Sequence, residues 1–304
     1  MTNLSASVHA RLLTRARASG EDFNLLLTRF GLERLLYRLS VSRHADNFLL
    51  KGALLFALWY DQPHRSTRDA DLLGYGADDA ATLLSVFREV CAIDESDGIA
   101  FDVASVSAST IRDENEYGGI RVTLLGRIGN ARIPIQVDIG FGDAVTPAPE
   151  QITYPVLIKD FPAPELRAYP IYTVVAEKYQ AMVMLGMANS RMKDFFDLYV
   201  IARTAVLDGS LLAQAIAATF ERRRTDLPEG TAIPLTDAFS KDVGKNAQWA
   251  AFLKRNRLDP IPLSSVIETL AEFLVPPTVA IVQDSPFPLI WRVAGPWKSD
   301  SEAK

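Results

Sequence analysis

Apolar residues in the first 60 positions recur at helical spacing: Leu12 and Leu13, then Phe23, Leu26, Leu27, Phe30, Leu35, Leu36 and Leu39, with Gly20 and Gly31 as breaks. The pattern predicts helices over residues 5–60. From residue 69 to about 143 the period shortens toward two, with a helical insert near 78–92, which predicts strands around a helix. The most legible stretch runs from Gly119 to Gly140, where two alternating runs flank Gly129-Asn130, a dipeptide suited to a two-residue hairpin turn. Such a turn sets the register. It pairs Ile120 with Ile139, Val122 with Val137 and Leu124 with Ile135 on a core face, and places Asp138 across from Arg121 on the polar face. After Pro162, Pro164 and Pro170 the pattern is helical again, with helices expected over 174–187, 190–204, 210–223, 235–255 and 263–274. From Pro276 onward prolines punctuate two short apolar runs, 278–282 and 289–293, and the polar stretch 298–304 reads as a disordered tail. The fold class implied is α+β. Its expected parts are an N-terminal helical extension (1–46), a core with a mixed sheet (47–165), a C-terminal helical domain (166–275) and a Pro-rich segment (276–304).

Composition narrows the possibilities. The 304 residues are 48% hydrophobic and 23% charged, as in globular proteins. A net charge of −5 excludes a uniformly basic nucleic-acid binder and leaves room for local basic patches. One lies at the start: residues 1–60 carry Arg11, Arg15, Arg17, Arg29, Arg34, Arg38, Arg43 and Lys51 against Glu21, Asp22, Glu33 and Asp46. It reads either as a solvated helix face or as a surface for RNA phosphates or an acidic partner. The single cysteine, Cys91, forms no intrachain disulfide, and with three histidines it cannot furnish a Cys/His zinc site, so a reducing cytoplasm is expected. The longest charge-free apolar run, Gly52 to Tyr60, is far short of the roughly 20 residues of a membrane span. No membrane association is expected.

Phosphate-loop, HExxH and GxSxG motifs are absent, and the Gly74/Gly76 and Gly140/Gly142 pairs lack the third glycine of a dinucleotide fingerprint. A carboxylate constellation remains. Asp69 and Asp71 lie two apart in a segment that reads as a short strand, so both project from one face about 6.6 Å apart, a separation from which they can converge on Mg²⁺. Asp138 supplies a candidate third carboxylate on the polar face of the same sheet region. Upstream, in the stretch Phe48 to Trp59, Lys51 and Gly52 stand at the entrance of an apolar helix. There unpaired N–H groups and a glycine would let a triphosphate approach the backbone. Phosphoryl transfer needs this division between a phosphate cradle and metal-holding acids. Arg65 and Arg68 either draw in phosphates or neutralise the aspartates. Downstream, Lys178 is a point charge suited to a phosphate, and Asp194 and Asp197 share a helix face beside Arg191 and Lys193. Pairing between helices is an equal account of Asp197.

Residues 48–73 resemble the opening of the polymerase-β-type nucleotidyltransferase fold. The wider set comprises Leu50-Lys51-Gly52-Ala53, Arg65 through Arg68-Asp69-Ala70-Asp71-Leu72, Asp138 in an apolar strand, Glu177-Lys178 and Lys193-Asp194 through Asp197-Leu198-Tyr199. In order and spacing it is similar to the AbiEii/AbiGii family of nucleotidyltransferase toxins from abortive-infection and toxin–antitoxin systems. The resemblance implies a polymerase-β-like core, NTP as donor, two Mg²⁺ ions on Asp69, Asp71 and Asp138, and nucleotide contacts from Lys51, Gly52, Ala53, Arg68 and Lys178, with Asp194 completing the site. It also implies an RNA acceptor, for some members the tRNA 3′ end, whose modification would block translation, and a cognate antitoxin. The basic residues of 11–43 and Arg222-Arg223-Arg224 are the candidate grip on that RNA. Ala53 departs from the serine or second glycine often found there, so a hydroxyl contact to phosphate is missing. Two other readings stay open: a non-catalytic module binding nucleotide or a partner on the same fold, and transfer to a protein or small-molecule hydroxyl.

Overall fold

The computed structural model describes residues 2–60, 67–111 and 118–299. The chain divides into two compact units, residues 1–142 with 149–169, and residues 143–148 with 170–304. The first holds helices α1 (Thr2–Ser19) and α2 (Phe23–Val41), strand β1 (Phe48–Lys51), the short helix α3 (Phe56–Trp59) and strand β2 (Asp69–Gly74). Helix α4 (Ala80–Ala92), β3 (Ala100–Ile111), β4 (Gly119–Ile128), β5 (Ala131–Phe141), β6 (Glu150–Thr153) and β7 (Glu165–Ala168) complete it. The strands form one mixed sheet in the order β3-β4-β5-β2-β1-β7-β6, with β2 parallel to β5 and β1 parallel to β7. The structure is α+β, as the sequence predicts.

The β4–β5 hairpin has the expected register, Ile120 opposite Ile139 through Leu124 opposite Ile135. Gly129 turns it with φ of 57°, the positive value that a type II′ turn asks of its first central residue. Ile120, Val122, Leu124, Ile135, Val137 and Ile139 are all buried, and α1, α2 and α4 pack on the strands that carry them. Asp22 caps α2 by accepting from the Leu25 amide at 2.9 Å.

Three expectations are corrected here. Phe48–Lys51 is a strand, followed by a 3₁₀ turn over Gly52–Leu55. A short, continuously apolar run has the same appearance in a buried strand and a buried helix, and pairing with Asp71–Gly74 decides the matter. Gly31 does not break α2. A Cβ there would lie 2.9 Å from Ile135 Cδ1, so the glycine serves close approach of helix to sheet. Nor are all the arginines of residues 11–43 on a solvated face. Arg34 and Arg38 are buried, Arg38 in a two-point pair with Asp97 at 2.7 and 3.1 Å.

The second unit contains α5 (Ile171–Leu185), α6 (Met192–Thr204), β8 (Leu207–Asp208), α7 (Gly209–Arg222), α8 (Asp237–Ser240), α9 (Val243–Asn256), α10 (Leu263–Val282), β9 (Leu289–Trp291) and β10 (Trp297–Ser299). Helix α10 continues eight residues beyond the expected end at 274, through Pro276 and Pro277. Pro277 has no N–H for the Phe273 carbonyl four residues back, and Trp297 Nε1 donates to that carbonyl instead at 3.0 Å. Lys298 and Ser299, expected in a disordered tail, lie in β10 beside β9; residues 300–304 are outside the described ones. By length and composition α10 could cross a membrane, yet Val266, Ile267, Leu270, Phe273 and Leu274 are buried and it packs on α6 and α7 as a core helix.

Candidate active site

On the sheet face opposite the apolar one, neighbouring strands bring polar residues into a row. Lys51 pairs with Asp71, Asp71 with Asp138, Asp138 with Arg121 and Arg121 with Ser109. Directly paired residues share a face, and adjacent strands lie about 4.8 Å apart. Asp71 and Asp138 are therefore immediate neighbours although 67 positions separate them in the chain. Asp69 stands two residues along β2 on the same face, opposite Gln136. Thr67 Oγ1 donates to Asp69 Oδ1 at 2.8 Å.

Lys51 is the last residue of β1 rather than the first of a helix, and Gly52 follows with φ of 74°. A Cβ at position 52 would overlap the Asp71 carboxylate. Gly52 is thus required twice, by its left-handed backbone and by the acid lying against it. The Lys51 ammonium sits 5.7 Å from the centre of the Tyr169 ring, in cation–π range. Ala53 lies in the following 3₁₀ turn.

Asp138 is held from the side. Arg121 Nε and Nη2 donate to its two carboxylate oxygens, both at 2.8 Å, and Gln136 Nε2 donates to Oδ2 at 3.2 Å. The hydrogen bond to Asp138 pushes the Arg121 guanidinium above its ordinary pKa, with burial opposing and the charges of Asp138, Asp69 and Asp71 adding to the rise. Among the described residues no three acidic, His or Cys side chains converge as a ready metal cluster, and both oxygens of Asp138 are engaged by the Arg121 guanidinium. The pair Asp69 and Asp71 nevertheless fits a magnesium-type cation. Such an ion is commonly held by one or two carboxylates and completed by phosphates and water.

In the second unit, Lys178 Nζ sits between Asp194 Oδ1 at 2.7 Å and Asp197 Oδ2 at 2.8 Å, and Arg191 Nε reaches Asp194 Oδ2 at 2.7 Å. Both aspartates are 0% exposed. Burial alone would lower the Lys178 pKa, but the charges and hydrogen bonds of Asp194 and Asp197 outweigh it and raise it. Asp194 and Asp197 thus share one cluster around Lys178. Arg223 is tied to Asp143, Glu177 and Gln180 at 3.0 to 3.1 Å, so it is a structural hub. Arg65 lies outside the described residues, while Arg68 is exposed just before β2.

Sequence reasoning missed Thr67, Gln136 and Tyr169. The hairpin register already placed Gln136 on the Asp138 face, which was signal enough; nothing local marks Tyr169.

Residues 34–274 match the family described as "Nucleotidyl transferase AbiEii toxin, Type IV TA system". No curated protein sequence matches the chain. Among solved structures, JHP933 from Helicobacter pylori is similar over 83% of this chain and 88% of its own, with 16% identity and a TM-score of 0.45. A second H. pylori structure, described as a candidate nucleotidyltransferase, gives the same identity and TM-score over 83% of this chain and 91% of its own.

Proposed function

Given that the chain belongs to the AbiEii family of nucleotidyl transferase toxins of type IV toxin–antitoxin systems, we propose that it transfers a nucleoside monophosphate from an NTP to the 3′ end of an RNA, tRNA first among acceptors, and so blocks translation in the cytoplasm. The observation that carries this reading is the in-register row Lys51–Asp71–Asp138 with Gly52 against the Asp71 carboxylate. It sets the acids directly beside the Gly52 backbone. Family membership implies an NTP substrate and an antitoxin partner.

Asp69 and Asp71 would hold Mg²⁺. When bound, the ion supplies charge neutralisation at the triphosphate and lowers the pKa of the attacking hydroxyl. A second ion would need Asp138, which Arg121 must first release. The chain's own groups do the rest. Lys51 and the Gly52 backbone bind phosphate; within the second unit Lys178, held by Asp194, is itself a cation suited to a phosphate. The acceptor's 3′ oxygen attacks the α-phosphorus, the bond to the bridging oxygen breaks, and pyrophosphate leaves with the bonding pair. Asp138 takes the hydroxyl proton, oriented by Arg121.

The test is incubation with each labelled NTP in turn, Mg²⁺ and total RNA. Label on RNA with the wild type, absent with Asp69→Ala/Asp71→Ala, is expected. Equal labelling by both proteins overturns the reading. The Arg121 clamp on Asp138 favours a second reading, a non-catalytic nucleotide-binding module. NTP binding with no label on RNA, protein or small molecule would identify that case.

A further inference from the structure

Strand β5 is longer than its neighbour. Gln136 to Phe141 pair with β2, whereas Ala131 to Ile135 pair with β4 alone, because β2 begins at Asp69 opposite Gln136. No described strand pairs with that remaining edge. Pro134, which has no N–H to donate, is tolerated there for this reason. Below the start of β2 the sheet therefore has a notch, a cavity of about 770 Å³, walled by the first two turns of α2, by β4 and β5, and by Arg68 and Arg132. This volume is within the range of ligand sites.

The charge of the notch is unbalanced. Arg68 and Arg132 are both exposed and have no ion-pair partner among the described residues. The acid on its wall, Asp22, has its carboxylate engaged in capping α2. Two guanidiniums without an ion-pair partner among the described residues, over a lining of Leu125, Ile133 and Pro134, suit an anion that also carries flat, partly apolar groups. The location extends the argument. Gln136 is the register neighbour of Asp69, so the notch opens onto the carboxylate row. Arg132 stands four residues farther along β5, about 13 Å away, too far to serve the phosphate that reacts. The ligand must carry phosphates leading away from the reacting centre.

We propose that this notch holds the last nucleotides of a single-stranded RNA acceptor, its phosphates on Arg68 and Arg132 and its terminal hydroxyl toward Asp69 and Asp138. The assignment rests on the transferase reading and names where its second substrate lies. The test uses the full-length protein and a fluorescent 12-nucleotide RNA with a free 3′ hydroxyl, in Arg132→Ala, Arg132→Lys and a surface control, Arg255→Ala. For Arg132→Ala we expect the acceptor KM to rise about tenfold with kcat and the NTP KM unchanged. The slope of log Kd against log salt should drop by about 0.7, the share of one phosphate contact on a single strand. Arg132→Lys should recover much of the affinity. Transfer with an unmoved acceptor KM overturns this inference and leaves the transferase reading intact. Arg132-dependent RNA binding without any transfer supports the notch and defeats the transferase reading. Binding that ignores Arg132, or an Arg132 requirement seen only for a protein partner, overturns the notch.

Discussion

Two clusters of acids and bases, one in each unit, are built on opposite plans. In the second unit Lys178 and Arg191 face Asp194 and Asp197, two charges of each sign, with the aspartates fully buried and every carboxylate in an ion pair. In the first unit Asp69, Asp71 and Asp138 stand with Lys51 and Arg121 along a half-exposed sheet face, an excess of one negative charge. A closed and balanced cluster gains its energy from staying as it is, because any partner removed leaves a charge without solvent. An open cluster with charge left over can exchange partners with an incoming ligand at little cost. The first plan fixes its own charges in place, and the second leaves charge available to an incoming ligand.

The sharpest way to break that contrast is to remove the central cation of the closed cluster. Lys178→Met removes the cation shared by two buried carboxylates and should cost about 3–5 kcal/mol of stability, read as a lowered denaturation midpoint. An unchanged midpoint would instead place Lys178 with the open cluster. Second in size is Asp71→Asn, expected to cut transfer by about 10²–10³-fold while thermal stability holds or rises, since a negative charge leaves an acid-rich row. If Asp71→Asn unfolds the protein and spares activity, the two plans have been assigned the wrong way round.

Much of this contrast is legible in the sequence, and the remainder is missing for physical reasons. The hairpin register follows from Gly129-Asn130 and strict alternation, both local, and it places Arg121 beside Asp138. That Asp138 adjoins Asp71 depends on β5 running parallel to β2 after two intervening strands, which no local pattern encodes. Strand β1 escapes because four apolar-rich residues have no period of their own. The closed cluster is half visible: the three-residue spacing of Asp194 and Asp197 puts them on one face, but burial under Lys178 is a tertiary fact. The same holds for Arg38, whose partner Asp97 is 59 positions away, so a count of arginines overstates the basic surface.

The first unit has a closed cluster of its own, which sharpens the comparison through pH. Glu33 is buried beside Arg34 and accepts from the Leu157 amide at 2.6 Å. Burial pushes its pKa from 4.5 up to about 7, with the Arg34 charge and that amide opposing. Below about pH 4.5 Glu33 is protonated whether folded or unfolded. Between there and about 7 the folded chain keeps the proton that the unfolded chain sheds, so stability declines as pH rises. Above about 7 the decline stops. The integrated loss is on the order of 3 kcal/mol. Glu33→Gln should lack this slope, so denaturation at a series of pH values should show the variant gaining on the wild type between 4.5 and 7. Parallel curves would contradict it.

The smallest effect on stability is expected where the geometry of an ion pair is best but its setting is open. Arg121 grips both oxygens of Asp138 at 2.8 Å, as tightly as Arg38 grips Asp97. Yet the Arg121 side chain is 42% exposed against 2% for Arg38, and a solvated pair contributes between nothing and about 1 kcal/mol. Arg121→Gln should therefore change stability by less than about 1 kcal/mol in urea denaturation, whereas Arg38→Met should cost about 3–5 kcal/mol by leaving Asp97 buried alone. Equal costs for the two would mean that exposure does not separate the clusters, and the division between scaffold and site would have to be drawn elsewhere.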